Sequence, residues 1–269
     1  MAAEINYLPQ RIVSLQPSAT VMLKSLGVLD RLVACTKYCV DVCPEVHEQT
    51  IVADSWTAQS QQIMAANPDL VIASVPYQLE AVGEILKSGV PFLGLATHTL
   101  DDVYKDFAMI ARLVGEEERG EESIAHMQQE IAKVRECASS ANHKPIVYCE
   151  EWGKPLIRSQ KWVAELVDAA GGEFLGTPGA HTEAAEVIQA APDVIVMAWC
   201  GAGDRVPLAR VIEQRGWSEM KAVADTKVFC IPDEFLNTPA PTLLEGLKAL
   251  AGAIHPELFA THPRVKRLG

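Results

Sequence analysis

The chain has 269 residues, of which 35 are acidic and 23 basic, giving a formal net charge of −12. That balance argues against a nucleic-acid partner, which favours a basic face, and 49% hydrophobic residues exclude a disordered chain. No apolar run reaches the length of a membrane span. Residues 1–6, Met-Ala-Ala-Glu-Ile-Asn, show neither a basic stretch nor an apolar core of the secretory type. The seven cysteines are odd in number and scattered, which is no disulfide framework. Together these features give a cytoplasmic expectation for the sequence as it stands, the alternative being a periplasmic or extracellular protein with a trimmed leader.

In chain order, Arg11–Leu15 reads as a short buried strand, Gln16-Pro17-Ser18 as a turn, and Ser18–Leu26 as a helix closed by Gly27. Leu32–Cys35 is a second strand, and residues 36–55 read as irregular. A helix from Thr57 to Ala66 stops at Asn67-Pro68, and Asp69–Ala73 is a continuous apolar strand of the parallel-sheet kind. Gln78–Lys87 is a helix and Val90–Leu95 a strand. From Thr99 to Ala141, apolar residues recur at helical spacing: Leu100, Val103, Phe107, Ile110 and Val114, then Ile124, Met127, Ile131 and Val134. Thr99 or Asp101 is a suitable cap for its start. We read this stretch as a stiff helical connector.

The second half repeats the plan. Strands are expected at Ile146–Cys149, Asp193–Ala198 and Val228–Ile231. Helices are expected at Lys161–Ala170, Glu183–Ala190, Pro207–Arg215 and Pro241–Ile254. Residues 66–73 and 191–198 echo each other: a helix ends at Pro-Asp and feeds a buried strand. The expected fold is therefore α/β, with two lobes of mainly parallel sheet joined by a long helical connector. The expected boundaries are 1–98, 99–141 and 142–269. Ligands of such sheets gather beyond the carboxyl ends of the strands, so the informative loops are 14–18, 36–56, 74–77, 150–161, 199–204 and 232–239, with the ligand in a cleft between the lobes.

These loops carry a family likeness. Residues 11–18 (Arg-Ile-Val-Ser-Leu-Gln-Pro-Ser), Ser55-Trp56, Asn67–Ile72 and Ala191–Val196 make the chain similar to the periplasmic-binding proteins that serve cobalamin and ferric-siderophore ABC transporters. Glu151-Trp152, Glu165–Gly172, Cys200-Gly201 and Phe235–Pro241 resemble the branch labelled cobalamin-binding protein. The resemblance implies a class III solute-binding fold, a rigid helical linker and a metal chelate held with little hinge motion. It also implies an ABC permease partner, docked through one acidic residue on each lobe. Here the nearest positions are Gln61 or Gln62 and Ala185 or Glu186, so the first lobe lacks its acid.

Within the loops, Trp56 and Trp152 are read as ligand contacts, because indole offers a broad flat face at low entropic cost. Trp162 and Trp199 are better read as core, with Trp162 kept as a candidate contact. Gln16, Tyr77 and Asn237 lie in the same loops and complete the candidate set with Glu151, Arg158, Cys39 and Cys200. Glu150, Glu151, Arg158 and Lys161 suit hydrogen bonding to ligand amides or phosphates. Cys35, Cys39 and Cys43 form a Cys-x3-Cys-x3-Cys run matching neither iron–sulfur nor zinc-knuckle spacing. Each cysteine alone reads as a small hydrophobe. Cys39, Cys149 and Cys200 together are candidates for a shared metal site. The histidines show no paired spacing, Gly201-Ala202-Gly203 is a turn rather than a dinucleotide fingerprint, and there is neither a catalytic triad nor a P-loop.

Two functional expectations follow. The first is a solute-binding protein, not an enzyme, that needs no cofactor and holds cobalamin or a related corrinoid, with haem or a ferric siderophore as alternative ligands. The second is a cytosolic cysteine-dependent metal-handling protein or enzyme on the same scaffold.

Overall fold

The computed structural model describes residues 7–74 and 78–269. Two compact units divide the chain. The first comprises residues 1–97 with 101–125, the second residues 98–100 with 126–269.

In the first unit, β1 (Ile12–Ser14) leads into α1 (Pro17–Ser25), and β2 (Leu32–Cys35) into α2 (Lys37–Val42). Then come β3 (Thr50–Ile51), α3 (Ser60–Ala65), β4 (Leu70–Ser74), α4 (Leu79–Lys87) and β5 (Phe92–Leu95), followed by α5 (Leu100–Val114). The strands form one sheet in the order β3-β2-β1-β4-β5, and each pair runs parallel. Its continuous apolar strands are covered on both faces, as parallel sheets require. Val13, Leu15, Ala34, Val71 and Ala73 pack with Ile63 of α3 and Ile85 of α4. The stripe on α5 is buried as its spacing implied: Val103, Phe107, Ile110 and Val114 are fully enclosed. α6 (Glu117–Ala138) completes the expected helical stretch, its residues shared between the two units.

The second unit is built on β6 (Ile146–Gly153), which turns back into β7 (Leu156–Arg158). There follow α7 (Lys161–Ala169), β8 (Glu173–Phe174), β9 (His181–Thr182), α8 (Ala184–Ala190), β10 (Val194–Met197) and α9 (Leu208–Gln214). The unit ends with α10 (Lys221–Ala224), β11 (Val228–Cys230), α11 (Asp233–Leu236), α12 (Leu243–Ile254) and β12 (Lys266–Arg267). This sheet is mixed, in the order β12-β11-β10-β6-β7-β9 with β8 also on β6. The β6–β10–β11 centre is parallel, whereas β7, β9 and β12 pair antiparallel. Ile195, Met197, Val228 and Tyr148 pack around the fully buried Trp217, and Tyr148 meets it edge to face at 5.9 Å between centroids.

The sequence echo is a structural one. Asn67 and Ala191, each just before the Pro-Asp pair, both adopt left-handed backbone with φ of 49° and 45°. Asp69 then accepts from the amides of Gln10 and Arg11 at 2.8 and 3.0 Å, while Asp193 accepts from that of Ile146 at 2.9 Å. In each unit the aspartate pins the start of the neighbouring central strand as its own strand begins.

Three expectations need correction. Residues 36–55 are not irregular throughout: Thr36 caps α2 by accepting from the Cys39 amide at 3.2 Å. The helix expected from Thr57 begins only at Ser60, because the Asp54 carboxylate holds the Trp56 and Thr57 amides in a turn. The loop expected at residues 150–161 is largely a hairpin, because β6 runs on to Gly153 and turns back into β7.

Candidate functional site

In the first unit, the loops at the carboxyl ends of β1 and β4 are tied together by Ser55. Its amide and hydroxyl both donate to the Leu15 carbonyl, at 3.1 and 3.0 Å, and its oxygen accepts from the Ser74 amide at 3.2 Å. This bracing presents the next residue, Trp56, with 52% of its surface exposed. Gln16 lies at the same end, only 7% exposed, and its side-chain nitrogen has no hydrogen-bond partner. Cys39 is fully buried, its sulfur 3.2 Å from Thr36 Oγ1 and 3.8 Å from the Ser14 carbonyl. It packs as core rather than facing a ligand. Tyr77 lies outside the described residues.

In the second unit, the hairpin of β6 and β7 extends beyond the sheet's parallel centre and carries Glu151 and Trp152. Trp152 is 45% exposed, and its indole nitrogen donates to the Lys154 carbonyl at 3.0 Å. Glu151 receives the Gln160 carboxamide at 2.5 Å. Burial pushes its carboxyl up to about 7, against the opposing hydrogen bonds from Gln160. The Cys200 amide donates to the Glu151 carbonyl at 3.0 Å, which brings the loop after β10 alongside. Asn237, after α11, donates to the Ala198 carbonyl at 2.7 Å and to the Cys200 sulfur at 3.3 Å. Desolvation of its sulfur, with the charges of Glu151 and Asp233, raises the Cys200 thiol to about 12 although the residue is exposed. Asp233 binds the amides of Gly201 and Gly203 at 2.7 and 2.6 Å and so shapes this loop. The turn reading of residues 201–203 is consistent with that pairing. Glu151, Trp152, Cys200 and Asn237 are thus drawn together.

Other candidates have structural duties. Glu150 is fully buried: Arg215 donates to both its oxygens at 2.8 and 2.9 Å, Tyr148 at 2.5 Å and Trp199 at 2.7 Å. It therefore does not face a ligand. Arg158 donates to the Thr182 hydroxyl at 2.7 Å and the His181 carbonyl at 3.1 Å, and lies 3.6 Å from Glu186. Trp162 is 8% exposed and donates to the Leu236 carbonyl at 2.8 Å, as a core residue does. Cys149 is wholly enclosed, and burial raises its thiol. Among the described residues no group of three His, Cys, Asp or Glu side chains is placed to hold a metal ion. The expectation of a shared Cys39–Cys149–Cys200 metal site is therefore dropped.

Gln160, Asp233 and Arg215 were not singled out from sequence. Gln160 stands at a helix N-cap without capping, a position where a glutamine signals little. Arg215 lies 65 residues from Glu150, and no spacing rule links them.

Residues 12–235 match the family described as periplasmic binding protein. A relative in Bacillus subtilis, an uncharacterized ABC transporter substrate-binding lipoprotein, is 25% identical over 265 residues, covering 93% of this chain and 82% of the relative. The vitamin B12-binding protein of Vibrio cholerae is 26% identical over 251 residues, covering 89% and 87%. Among solved structures, a periplasmic heme-binding protein from Pseudomonas aeruginosa superposes with a TM-score of 0.85 at 20% identity, covering 97% of this chain and 99% of that one. These matches bear out the fold expected from the resemblance. They overturn the cytoplasmic expectation: the family and these relatives are periplasmic or lipoprotein binding proteins. Among the described residues no helix is long and apolar enough to cross a membrane.

Proposed function

The chain belongs to the periplasmic binding protein family, and from that premise we propose that it is a solute-binding protein whose ligand is a corrinoid of the cobalamin type. The observation that carries this reading is the pair of exposed indoles at strand carboxyl ends, Trp56 in the first unit and Trp152 in the second. An indole left half in water costs free energy that a broad, flat ligand recovers by covering it. The vitamin B12-binding relative supports a corrinoid as that ligand. The protein carries out no reaction, and the corrinoid is its cargo.

The partner consistent with this role is an ABC permease. Glu186 on α8 is an exposed acid of the second unit, held by Thr182 at 2.7 Å. In the first unit, Gln62 accepts from the Ala53 amide at 2.8 Å instead of offering a charge. Docking is thus expected to be electrostatically one-sided, with a correspondingly weak salt dependence.

Titration with cyanocobalamin and aquocobalamin, followed by absorbance and calorimetry, tests the reading. Saturable binding of either supports it. Binding of haemin or a ferric siderophore in their place would transfer the reading to that ligand.

A further inference from the structure

Around Glu151 the second unit presents acceptors without a matching cation. The Glu151 carboxylate is oriented by Gln160 at 2.5 Å. Asn237 spends its amide hydrogens on the Ala198 carbonyl and the Cys200 sulfur, which leaves its side-chain oxygen without a partner. Asp233, the first residue of α11, adds a second carboxylate beside the Cys200 loop, its oxygens accepting from the Gly201 and Gly203 amides. Two arginines of the neighbouring elements are committed elsewhere, Arg158 to Thr182, His181 and Glu186, and Arg215 to Glu150 and the Gly153 carbonyl, while Arg205, exposed on the loop after β10, lies beside Gly203. Lys154 and Lys161 flank this stretch and are exposed, and among the described residues the partner of the Glu151 carboxylate is Gln160, not a lysine.

We infer that Glu151, set by Gln160, is a specificity-determining residue that accepts ligands rimmed with primary amides and rejects those carrying carboxylates. This deepens the proposed solute-binding role and rests on that role, not on the corrinoid in particular. An amide N–H meets a carboxylate as a hydrogen-bond donor to a charged acceptor. A ligand carboxylate meets like charge there, and among the described residues no guanidinium is paired with Glu151 to offset it; like-charge juxtaposition discriminates strongly between otherwise similar ligands. The exposed face of Trp152, the next residue, supplies non-directional contact, so the polar choice falls to Glu151.

The test compares two ligand pairs at pH 8, where the Glu151 carboxyl is ionised. One pair is cyanocobalamin and its monocarboxylic acid, in which one side-chain amide is hydrolysed. The other is iron protoporphyrin diamide and haemin, its dicarboxylate. Affinities are measured by absorbance titration for the parent and for Glu151→Gln, with thermal melts as the folding control. The parent is expected to prefer the amide member about tenfold or more, and Glu151→Gln to bring the pair within about threefold. A second measurement needs no variant: the parent's preference should shrink as salt rises from about 50 mM to 500 mM, because screening weakens charge rejection and leaves a steric preference untouched. No preference in the parent, or one unmoved by both salt and a folded Glu151→Gln, overturns the inference. If only the porphyrin pair binds, with an amide preference that Glu151→Gln removes, the corrinoid reading falls and the inference stands. Binding of neither pair overturns both.

Discussion

Arg215 grips Glu150 with both ends of its guanidinium, at 2.8 and 2.9 Å, while lying 4.8 Å from the centre of the Trp217 ring and 5.7 Å from that of Trp199. Glu150 is the last β6 residue paired with β10, and Glu151 and Trp152 follow it directly. The same arginine also donates to the Gly153 carbonyl at 3.2 Å. A side chain at Gly153 would sit 2.4 Å from the Trp199 ring, so the hairpin packs on that indole only because this residue is glycine. The pair therefore anchors the root of the hairpin that carries the candidate ligand contacts.

Removing one partner of a buried pair strands the other charge. Arg215→Met is expected to destabilise the protein by about 3–5 kcal/mol. Arg215→Lys should recover little of that, since an ammonium supplies neither the bidentate fork nor the stacking. Denaturant unfolding of the two variants checks this. An Arg215→Met midpoint equal to the parent's would mean the pair contributes nothing.

The aromatic residues separate by role. Trp56→Ala and Trp152→Ala should leave the melting temperature near the parent's and weaken ligand binding about tenfold or more each, which corresponds to about 1.4 kcal/mol. Phe107, fully buried on α5, behaves oppositely: Phe107→Ala should cost about 3–5 kcal/mol of stability through lost contacts and the cavity left behind. Paired melts and titrations distinguish the two groups, and early melting of the Trp variants with intact binding would reassign them to the core.

Glu151 makes stability depend on pH in a definite direction. Its carboxyl titrates at about 7 when folded against an ordinary value of 4.5, so between these values the folded chain holds the extra proton. Stability is then highest below the unfolded value and falls as pH rises through the window between them, by up to about 3 kcal/mol at the top. Glu151→Gln should flatten this segment of the stability curve. A parent curve that rises steadily with pH from 4.5 to 7, and is unchanged in the variant, would contradict the assignment.

Much of the fold was legible because burial on both faces writes itself as continuous apolar runs, as at Leu70–Ala73 and Val194–Met197. The repeated Pro-Asp junction was legible too, since its aspartates do the same work on Gln10, Arg11 and Ile146. The last two cysteines of the run marked a helix, while Cys35 ends β2. Cys39 and Cys43 stand four residues apart, the spacing that places both on one buried face of the segment that begins with α2. Thr36, three residues before Cys39, was an available capping signal. Trp56, Cys200 and Asn237 fell in the loops expected at strand ends, Glu151 and Trp152 in the β6–β7 hairpin that stands where a loop was expected, and Trp162 is buried as its core reading implied, whereas the fates of Glu150 and Arg158 did not show in sequence. Each is settled by a partner far along the chain: Arg215 and Thr182. Periodicity reports which face a residue takes, and it is silent on which distant group it meets.

Calorimetric titration of the purified protein with cyanocobalamin, read together with the ligand's absorbance bands, tests the central claim most directly. The expected result is saturable heat with a concurrent shift of those bands, both weakened in Trp56→Ala and Trp152→Ala. Absence of both heat and spectral change with ligand raised into the high micromolar range would contradict it.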